Sequence, residues 1–489
     1  MSNLVKLRHF RVRNYLFHSS ISEVGKIKTL QELKRFEVKR ETYGFELEQE
    51  QLGKLLELRG SLEIRNLERV QSSKEAAEAK LEHINHLHSL QLDWNIDRSD
   101  KNPILDEAVL ESLKPHSNLR ELGIRWHGGA TLPTWLGTEL SVENLESLSL
   151  ESVAWNLLPL PGKQCMVKDH SAECPGCVLG QGFKNLKTLE LDSIPGFKIW
   201  HGNGSRDYLS HLEELTVRNC SELTKLPFGN SASCYQSEEE ETMACFPKLK
   251  IISITRCPKL LSLPPIPWSR TLCRASVQKI VSDPYSLSFH SNYFVNELTS
   301  LDIGGNGASD SALWNALSFS NLTHLQYLSI LRCPPMQLDH LQLLTSLKIL
   351  SITDSGHVLC PAESESNVRY QFPLEHVVIE NCGADGKELT ELLSYCPNLS
   401  KLRLRECEKK LQSLPAGLSG LSKLKILEIY YCPGIRSLPK DGLPSSLVEL
   451  DISYGNNGIF TRQCRKLQGT IPVIKISKDS IDYLYNLFR

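Results

Sequence analysis

An α/β solenoid is predicted, roughly fifteen stacked coils forming a curved horseshoe with a parallel sheet on its concave face. Three observations predict it. A phrase, LxxLxLxxC followed by an isolated Leu or Ile and then Leu-Pro, recurs along the 489-residue chain. Its step is regular, since Cys382, Cys407 and Cys432 stand 25 residues apart. The slot after each LxL is filled by the same small residue in six places: Cys220, Cys257, Cys333, Cys382, Cys407 and Cys432. Repetition of this kind is the mark of a leucine-rich repeat.

Each part of the phrase has a physical task. The LxL segment is a short strand whose two apolar residues point inward, with an outward residue between them. The Leu three positions earlier and the Leu of Leu-Pro also face inward, and only stacking buries them. The Cys slot takes a small, weakly polar side chain because the backbone turns inward there and its polar groups need partners.

The frame is clearest at Leu399–Pro415 and Leu424–Pro439, and is repeated at Leu212–Pro227, Leu249–Pro264 and Leu325–Cys333. Coils at Leu119, Leu145, Leu186, Leu347 and Leu447 keep the strand with an altered slot, the coil at Leu374 keeps both the strand and Cys382, and after Ile452 the slot residue is expected to be Tyr454 or Gly455. The first coils are read at Leu4–Leu7, Leu30–Leu33, Leu62–Ile64 and Leu87–Leu92. The organisation is thus 1–135, irregular repeats carrying helices on the convex side, and 136–489, repeats with Cys in the slot and a C-terminal cap.

A capping box, Ser72-Ser-Lys-Glu75, predicts a helix running through Ala76, Ala79, Leu81 and Ile84. A second helix is expected from Ile104 to Lys114, stopped by Pro115, and a third from Lys387 to Ser394. Residues 160–182 and 228–245, the latter with the acidic run Glu238–Glu241, read as solvated insertions. Residues 264–297 read as a poorly formed coil. The tail from Ile471 to Ile476 alternates like a last strand, suited to covering the open end of the apolar column.

Composition excludes several classes. The net charge of −2 gives no basic field for nucleic acid. No apolar run approaches the roughly 18 residues of a membrane span. The basic stretch from Met1 to Phe10 lacks an apolar run behind it, so no signal peptide is expected. Fifteen cysteines, six of them directed into the stack where they are not expected to pair with one another, point to free thiols in a reducing, cytoplasmic or nuclear compartment. Four N-x-[ST] sequons then read as chance matches.

No H-E-x-x-H, G-x-S-x-G or EF-hand loop is present, so no catalysis and no cofactor are expected. The one metal candidate is Cys165, His170, Cys174 and Cys177, a tetrahedral donor set in number, weighed against a cysteine-rich surface loop without a second CxxC. The outward positions carry more signal. Arg218, Arg256, Arg332, Arg403 and Arg405 are expected on the concave face as one basic stripe, extended by Tyr430 and Tyr431, with Trp94 and Trp126 at the matching edge of early coils. Arg and aromatic residues are the usual anchors of protein interfaces, whereas a merely solvated strand favours Lys, Glu or Ser.

The block from Leu55 through Gly60, Leu62-Glu-Ile64, Asn66, Val70 and Glu75-Ala76 to Leu90-Gln-Leu92-Asp-Trp94 closely resembles the repeat region of plant coiled-coil, nucleotide-binding, leucine-rich-repeat disease-resistance proteins, especially the grass type. The ending Arg462-Gln-Cys464-Arg-Lys466-Leu467-Gln-Gly469-Thr-Ile471-Pro472 is similar to that family's C-terminal signature. The resemblance implies a protein-binding module acting in pathogen effector recognition and autoinhibition. Its implied partners are an effector or guarded host protein and the nucleotide-binding domain of the same receptor family. The chain departs from the family in having no G-x-x-x-x-G-K-[ST]: its four Gly-Lys pairs have Ser20, Glu48, Leu157 and Asn381 where the first Gly belongs. Nucleotide binding is therefore not carried over, and the chain is expected to be the repeat region alone, as a fragment, a truncated product or one half of a split gene. Other classes are the ligand-binding repeats of a cell-surface receptor and a substrate-adaptor solenoid. The first repeats LxGxIP, which occurs here once, at Leu467–Pro472. The second needs an F-box-like helical domain for which the N-terminus has no room.

Overall fold

The structure, a computed structural model, describes residues 6–9, 24–38, 51–97, 102–137, 139–155, 158, 164–165, 183–200, 209–227, 246–260, 271–278, 297–305, 314, 319–360, 370–407 and 411–477. It divides into two compact units, Met1–Leu263 and Pro264–Arg489. Among the described residues, the first contributes eight strands to the repeat sheet: Arg35–Glu37 (β1), Arg59–Arg65 (β2), His86–Asp93 (β3), Glu121–Arg125 (β4), Ser147–Glu151 (β5), Thr188–Asp192 (β6), Glu214–Arg218 (β7) and Ile251–Thr255 (β8). Each pairs in parallel with the next. The second contributes nine: Arg274–Gln278 (β9), Ser300–Gly304 (β10), Tyr327–Leu331 (β11), Ile349–Thr353 (β12), His376–Glu380 (β13), Lys401–Arg405 (β14), Ile426–Tyr430 (β15), Glu449–Ser453 (β16) and Val473–Ser477 (β17). These too are parallel neighbour to neighbour. The fold is a leucine-rich-repeat solenoid.

The strand count exceeds the expected coils for definite reasons. Strand β9 forms within the stretch read as a poor coil, with Ala275 and Val277 taking the two inward places. Strand β10 is built by Leu298-Thr-Ser-Leu301-Asp-Ile303, which the expected coils omit although it keeps the frame. Strand β17 confirms the expected last strand two residues late. The coil expected at Leu4–Leu7 falls mostly outside the described residues.

The inward column follows the frame. In β14, Leu402 and Leu404 are buried while Lys401, Arg403 and Arg405 are half-exposed, and the register stacks Leu404 on Ile379 and Ile429. No coil could hide such residues alone; each buried Leu is worth about 1.5–3 kcal/mol of transfer from water once neighbours enclose it.

Two devices recur where the chain turns at the end of a strand. The first residue after the strand takes a left-handed conformation, with φ 57° at Trp126, 52° at Asn219, 56° at Arg256, 53° at Arg332, 49° at Glu406 and 50° at Tyr431. That conformation costs a non-glycine residue roughly 1–2 kcal/mol. It is offset by one more inter-coil bond, such as Trp126 N–H to the Glu151 carbonyl at 2.9 Å and Glu406 N–H to the Tyr430 carbonyl at 2.9 Å. The slot residue then returns a donor to the backbone. The Cys382 thiol donates to the Glu380 carbonyl (3.2 Å) and to Ile352 of the preceding coil (3.4 Å); Cys432 reaches Tyr430 (3.3 Å) and Leu404 (3.7 Å). Ser355 does the same to Thr353 at 3.1 Å. After Ile452 the task falls to Asn456, not to Tyr454 or Gly455, its amide donating to Ser453 and Ile429 at 2.9 Å each.

The six slot cysteines are buried free thiols. That is the expected state, although slot thiols of adjacent coils come close, Cys220 beside Cys257 and Cys407 beside Cys432.

Helices occupy the segments that return between strands. Ser72 caps a helix through a bond from Glu75 N–H (3.2 Å), but that helix is only Ser73–Ala77. Lys80, left-handed at φ 49°, breaks it, and Leu81–His83 form a separate 3-10 turn instead of the continuous helix expected to Ile84. Pro103–Ser112 and Gly386–Ser394 match expectation closely, capped by Asn102 and Asp385.

Candidate protein-interaction face

The parallel register sorts the outward side chains into rows. In the second unit the middle row reads Ser329, Ser351, Val378, Arg403, Glu428, Asp451, Lys475. The row at the strand's end reads Leu331, Thr353, Glu380, Arg405, Tyr430, Ser453. The left-handed residues just beyond it include Arg332, Asp354, Asn381, Glu406, Tyr431 and Tyr454.

These rows break up the single basic stripe. Arg403 sits mid-strand, Arg405 at a strand end, and Arg332 on a left-handed residue past a strand. Acidic neighbours interleave with them. Arg332 pairs with Asp354 (3.1 Å) and Arg405 with Glu380 (3.1 Å) and Glu406 (3.4 Å); Arg403 and Lys401 both reach Glu428. In the first unit, Arg218 ends β7 and contacts Glu190 at 3.3 Å, while the exposed Arg256 follows β8. The face is a mosaic of paired charges, because each coil places opposite charges about 5 Å from the next in register.

Trp94 is corrected outright. It is 1% exposed, packed edge-on to His127 at 4.8 Å, and belongs to the core with Trp135, Trp155 and Trp200. Trp126 is half-exposed on its left-handed residue.

What the structure does bring together is an aromatic and arginine cluster on adjacent coils. The Arg403 guanidinium lies 5.9 Å from the Tyr430 ring centre, and Tyr430 is 6.1 Å from Tyr454. The Tyr430 hydroxyl donates to Asp451 at 3.1 Å; burial first, and then the nearby carboxylates, push that phenol upward. Glu428 is itself buried. Burial works to raise its pKa, but the bonds from Arg403 and Lys401 outweigh it and hold the carboxylate below its ordinary range. Arg403 and Tyr430 are thus locked in place from beneath. Tyr431 stands out at 56% exposed, its ring against Gly455, whose φ of 66° and missing Cβ make room for it. Tyr454, Glu428 and Asp451 are the members that sequence reasoning missed; the 25-residue step projects Glu428 onto Arg403, while Asp451 and Tyr454 lie one shorter, 23-residue step beyond Glu428 and Tyr431.

The first unit carries a different cluster. Asp93 is 2% exposed beneath Arg65, Glu63, Gln91 and Arg125, and burial pushes it up to about 6. Of the metal candidate, Cys165 stands on a two-residue strand, Gln164–Cys165, antiparallel to Ile199–Trp200, while His170, Cys174 and Cys177 lie outside the described residues. Both insertions fall mostly outside them as well. Among the described residues no helix is long and apolar enough to cross a membrane.

Residues 49–166 match the family model described as R13L1/DRL21 leucine-rich repeats. The chain is similar to the repeat region of plant disease-resistance proteins. It is 30% identical over 283 residues to the putative disease resistance protein RGA1 of Solanum bulbocastanum, covering 57% of this chain and 24% of that protein. A putative disease resistance protein of Arabidopsis thaliana is 25% identical across 89% of this chain and 34% of its own length. The chain therefore spans about a quarter of the length of the Solanum relatives it matches. A solved leucine-rich-repeat protein of Leptospira interrogans aligns with 96% of this chain and 97% of its own at 17% identity and a TM-score of 0.48. The matched stretch from residue 49 contains the Leu55–Trp94 block on which the resemblance was first read, and it now has a structural sense. Leu62, Ile64, Leu90 and Leu92 are the inward pairs of β2 and β3, and Trp94 seals the core behind them.

Proposed function

We propose that the chain is the protein-binding repeat module of a plant intracellular immune receptor, working in the cytoplasm. Its tasks are recognition of a pathogen effector or guarded host protein and restraint of the nucleotide-binding domain of the same receptor family. It acts by binding, without catalysis or cofactor. The observation that carries this reading is the cluster of Arg403, Tyr430, Tyr431 and Tyr454, in which an exposed ring stands beside side chains already fixed by Glu428 and Asp451. Fixed aromatic and arginine groups lose little side-chain entropy on binding, which is the property of an interface anchor.

The test is a pull-down of candidate effectors, and of a matching nucleotide-binding domain supplied separately, with Tyr431→Ala. The ring packs on a glycine and is mostly in water, so the fold should stand while binding weakens about tenfold or more, the loss of one hot-spot residue. Retention of every wild-type interaction would reduce Tyr431 to a solvated side chain. Reversing Arg403 to Glu is a poorer test, because it would set a second carboxylate against the buried Glu428.

A further inference from the structure

A second surface carries an inference that shares no residue with the cluster above. It follows the residues that precede each strand, on the side where the chain enters the sheet. In the first unit this row runs Arg120, Glu146, Lys187, Glu213, Lys250, with signs alternating coil by coil. The charges cancel: Lys187 lies 2.7 Å and Arg120 3.8 Å from Glu146, and Lys250 2.8 Å from Glu213.

The same row in the second unit is built differently. Here Gln326, Lys348, Glu375, Ser400 and Lys425 line a trough of about 700 Å³ with Thr345, Ser346, Asn398, Ser422, Lys423 and Ser446. Three lysines face one carboxylate. Neither the Lys348 nor the Lys425 ammonium has a hydrogen bond or ion pair among the described residues, and Lys423 donates only to the neutral Asn398 Oδ1, at 2.7 Å. The carbonyls of Gln326, Lys348, Glu375 and Ser400 are already occupied, each accepting two N–H groups from the next coil. Recognition must come from the side chains, and their excess is positive.

The spacing is informative. Lys348 precedes β12 and Lys425 precedes β15, three parallel steps apart, or about 14 Å at strand spacing. An extended peptide covers that in about four residues. Glu375 lies between and disfavours a negative group there. The Lys425 end is the stronger, with Lys423, Ser422 and Asn398 around it.

We propose that this trough binds an extended acidic peptide segment of a partner protein, carrying two negative groups four residues apart, with a phosphorylated hydroxyl at the Lys423–Lys425 end. A phosphate dianion suits that end because Lys423, Lys425 and the Ser422 hydroxyl all line it.

The probe is a fluorescein-labelled nine-residue Gly/Ala peptide holding phosphoserine and Asp four residues apart. It is compared with a peptide of the same composition in which the two are adjacent. Fluorescence anisotropy is measured with the full chain at two salt concentrations. The spaced peptide should bind about tenfold tighter than the adjacent one, and its affinity should fall with salt. Lys423→Gln with Lys425→Gln should weaken it at least tenfold. Lys348→Gln should erase the preference for spacing while sparing the adjacent peptide. Lys187→Gln, in the paired row of the first unit, should change nothing. All four lysines are exposed, so an unchanged circular dichroism spectrum certifies the variants. Equal binding of the two peptides, or unaltered binding by the double variant, overturns the proposal. So does a trough that takes inositol hexakisphosphate and ignores both peptides, which would make it a site for a small polyphosphate.

Discussion

Replacing Asp93 with Asn should stabilise the protein at neutral pH. Asp93 is 2% exposed; its Oδ1 accepts from Gln91 Nε2 at 2.8 Å, while Oδ2 has no hydrogen bond and sees Arg65 only at 3.7 Å. Burial pushes its pKa up to about 6 from an ordinary 3.8, Glu63 adds to the rise, and Gln91, Arg125 and Arg65 only partly oppose it. The unfolded chain releases this proton near pH 3.9, so between about 4 and 6 the folded state holds a proton that the unfolded state has lost. Stability therefore falls as pH rises through that window, and above it the fold carries the whole burden of a buried charge. A shift of about two units at 1.36 kcal/mol each bounds that burden near 3 kcal/mol. Relaxation of the site brings the expected gain for Asn to about 1–2 kcal/mol at pH 7.5, and close to nothing at pH 4. Asn keeps an acceptor for Gln91, so the geometry can persist. The assay is urea unfolding followed by tryptophan fluorescence at both pH values. Trp94, Trp126, Trp135, Trp155 and Trp200, five of the seven tryptophans, lie in the same unit as Asp93, so the signal reports it. A variant less stable than wild type at pH 7.5, or one with the same difference at both pH values, would refute the reasoning.

Glu428→Gln should behave in the opposite sense: its pKa is held low, so its stabilisation is present at neutral pH and lost as pH falls through the carboxylate range. The substitution should cost about 1–2 kcal/mol at pH 7 and progressively less in acid, read from urea midpoints. Cys382→Ser should be within about 1 kcal/mol of wild type, because Ser355 already fills the same slot, whereas Cys382→Val takes the thiol donor from two carbonyls, of which Glu380 keeps the Asp354 N–H, and should cost about 1–2 kcal/mol in thermal unfolding. Gly455→Ala forces a Cβ into the Tyr431 ring at a φ of 66° and should lower the melting temperature; one equal to wild type would show that the ring simply swings away at no expense.

The fold was legible because its inward positions repeat. Leu402 and Leu404 are buried for the same reason as Leu427 and Ile429, so one well-formed coil predicts the others. Reading failed where a coil keeps its geometry with weaker residues. Ala275 and Val277 fill inward places that a search for Leu passes over, and Asn456 supplies by its amide what Cys supplies by its thiol. The helix after Ser72 was legible at its start, through the cap, and illegible at its end, because Lys80 takes a left-handed conformation that Gly or Asn would have signalled. Trp94 misled by its type: an aromatic residue following a strand reads as a surface anchor, yet the ring turns inward to meet His127.

The outward face resists reading for a different reason, and that reason indicates where binding resides. Stacking places each outward side chain about 5 Å from its counterparts on the coils before and after, so charges are judged by their row and not by their own segment. Arg405 has only Glu406 beside it in its segment and is also held by Glu380 from the preceding coil; Arg403 is held by Glu428 from the following one. An arginine satisfied in this way has little left for a partner, since a new contact must displace an existing one. The groups able to bind with net gain are those the rows leave incomplete. Tyr431 lies open beside a fixed neighbour, and Lys348 and Lys425 occupy a row whose first-unit counterpart alternates in sign while theirs does not. Counting residue types along the chain ranks all the arginines alike. Projecting the same residues through the parallel register separates the paired charges from the unpaired ones, and the proposed aromatic anchor and cationic trough of the second unit both rest on that separation.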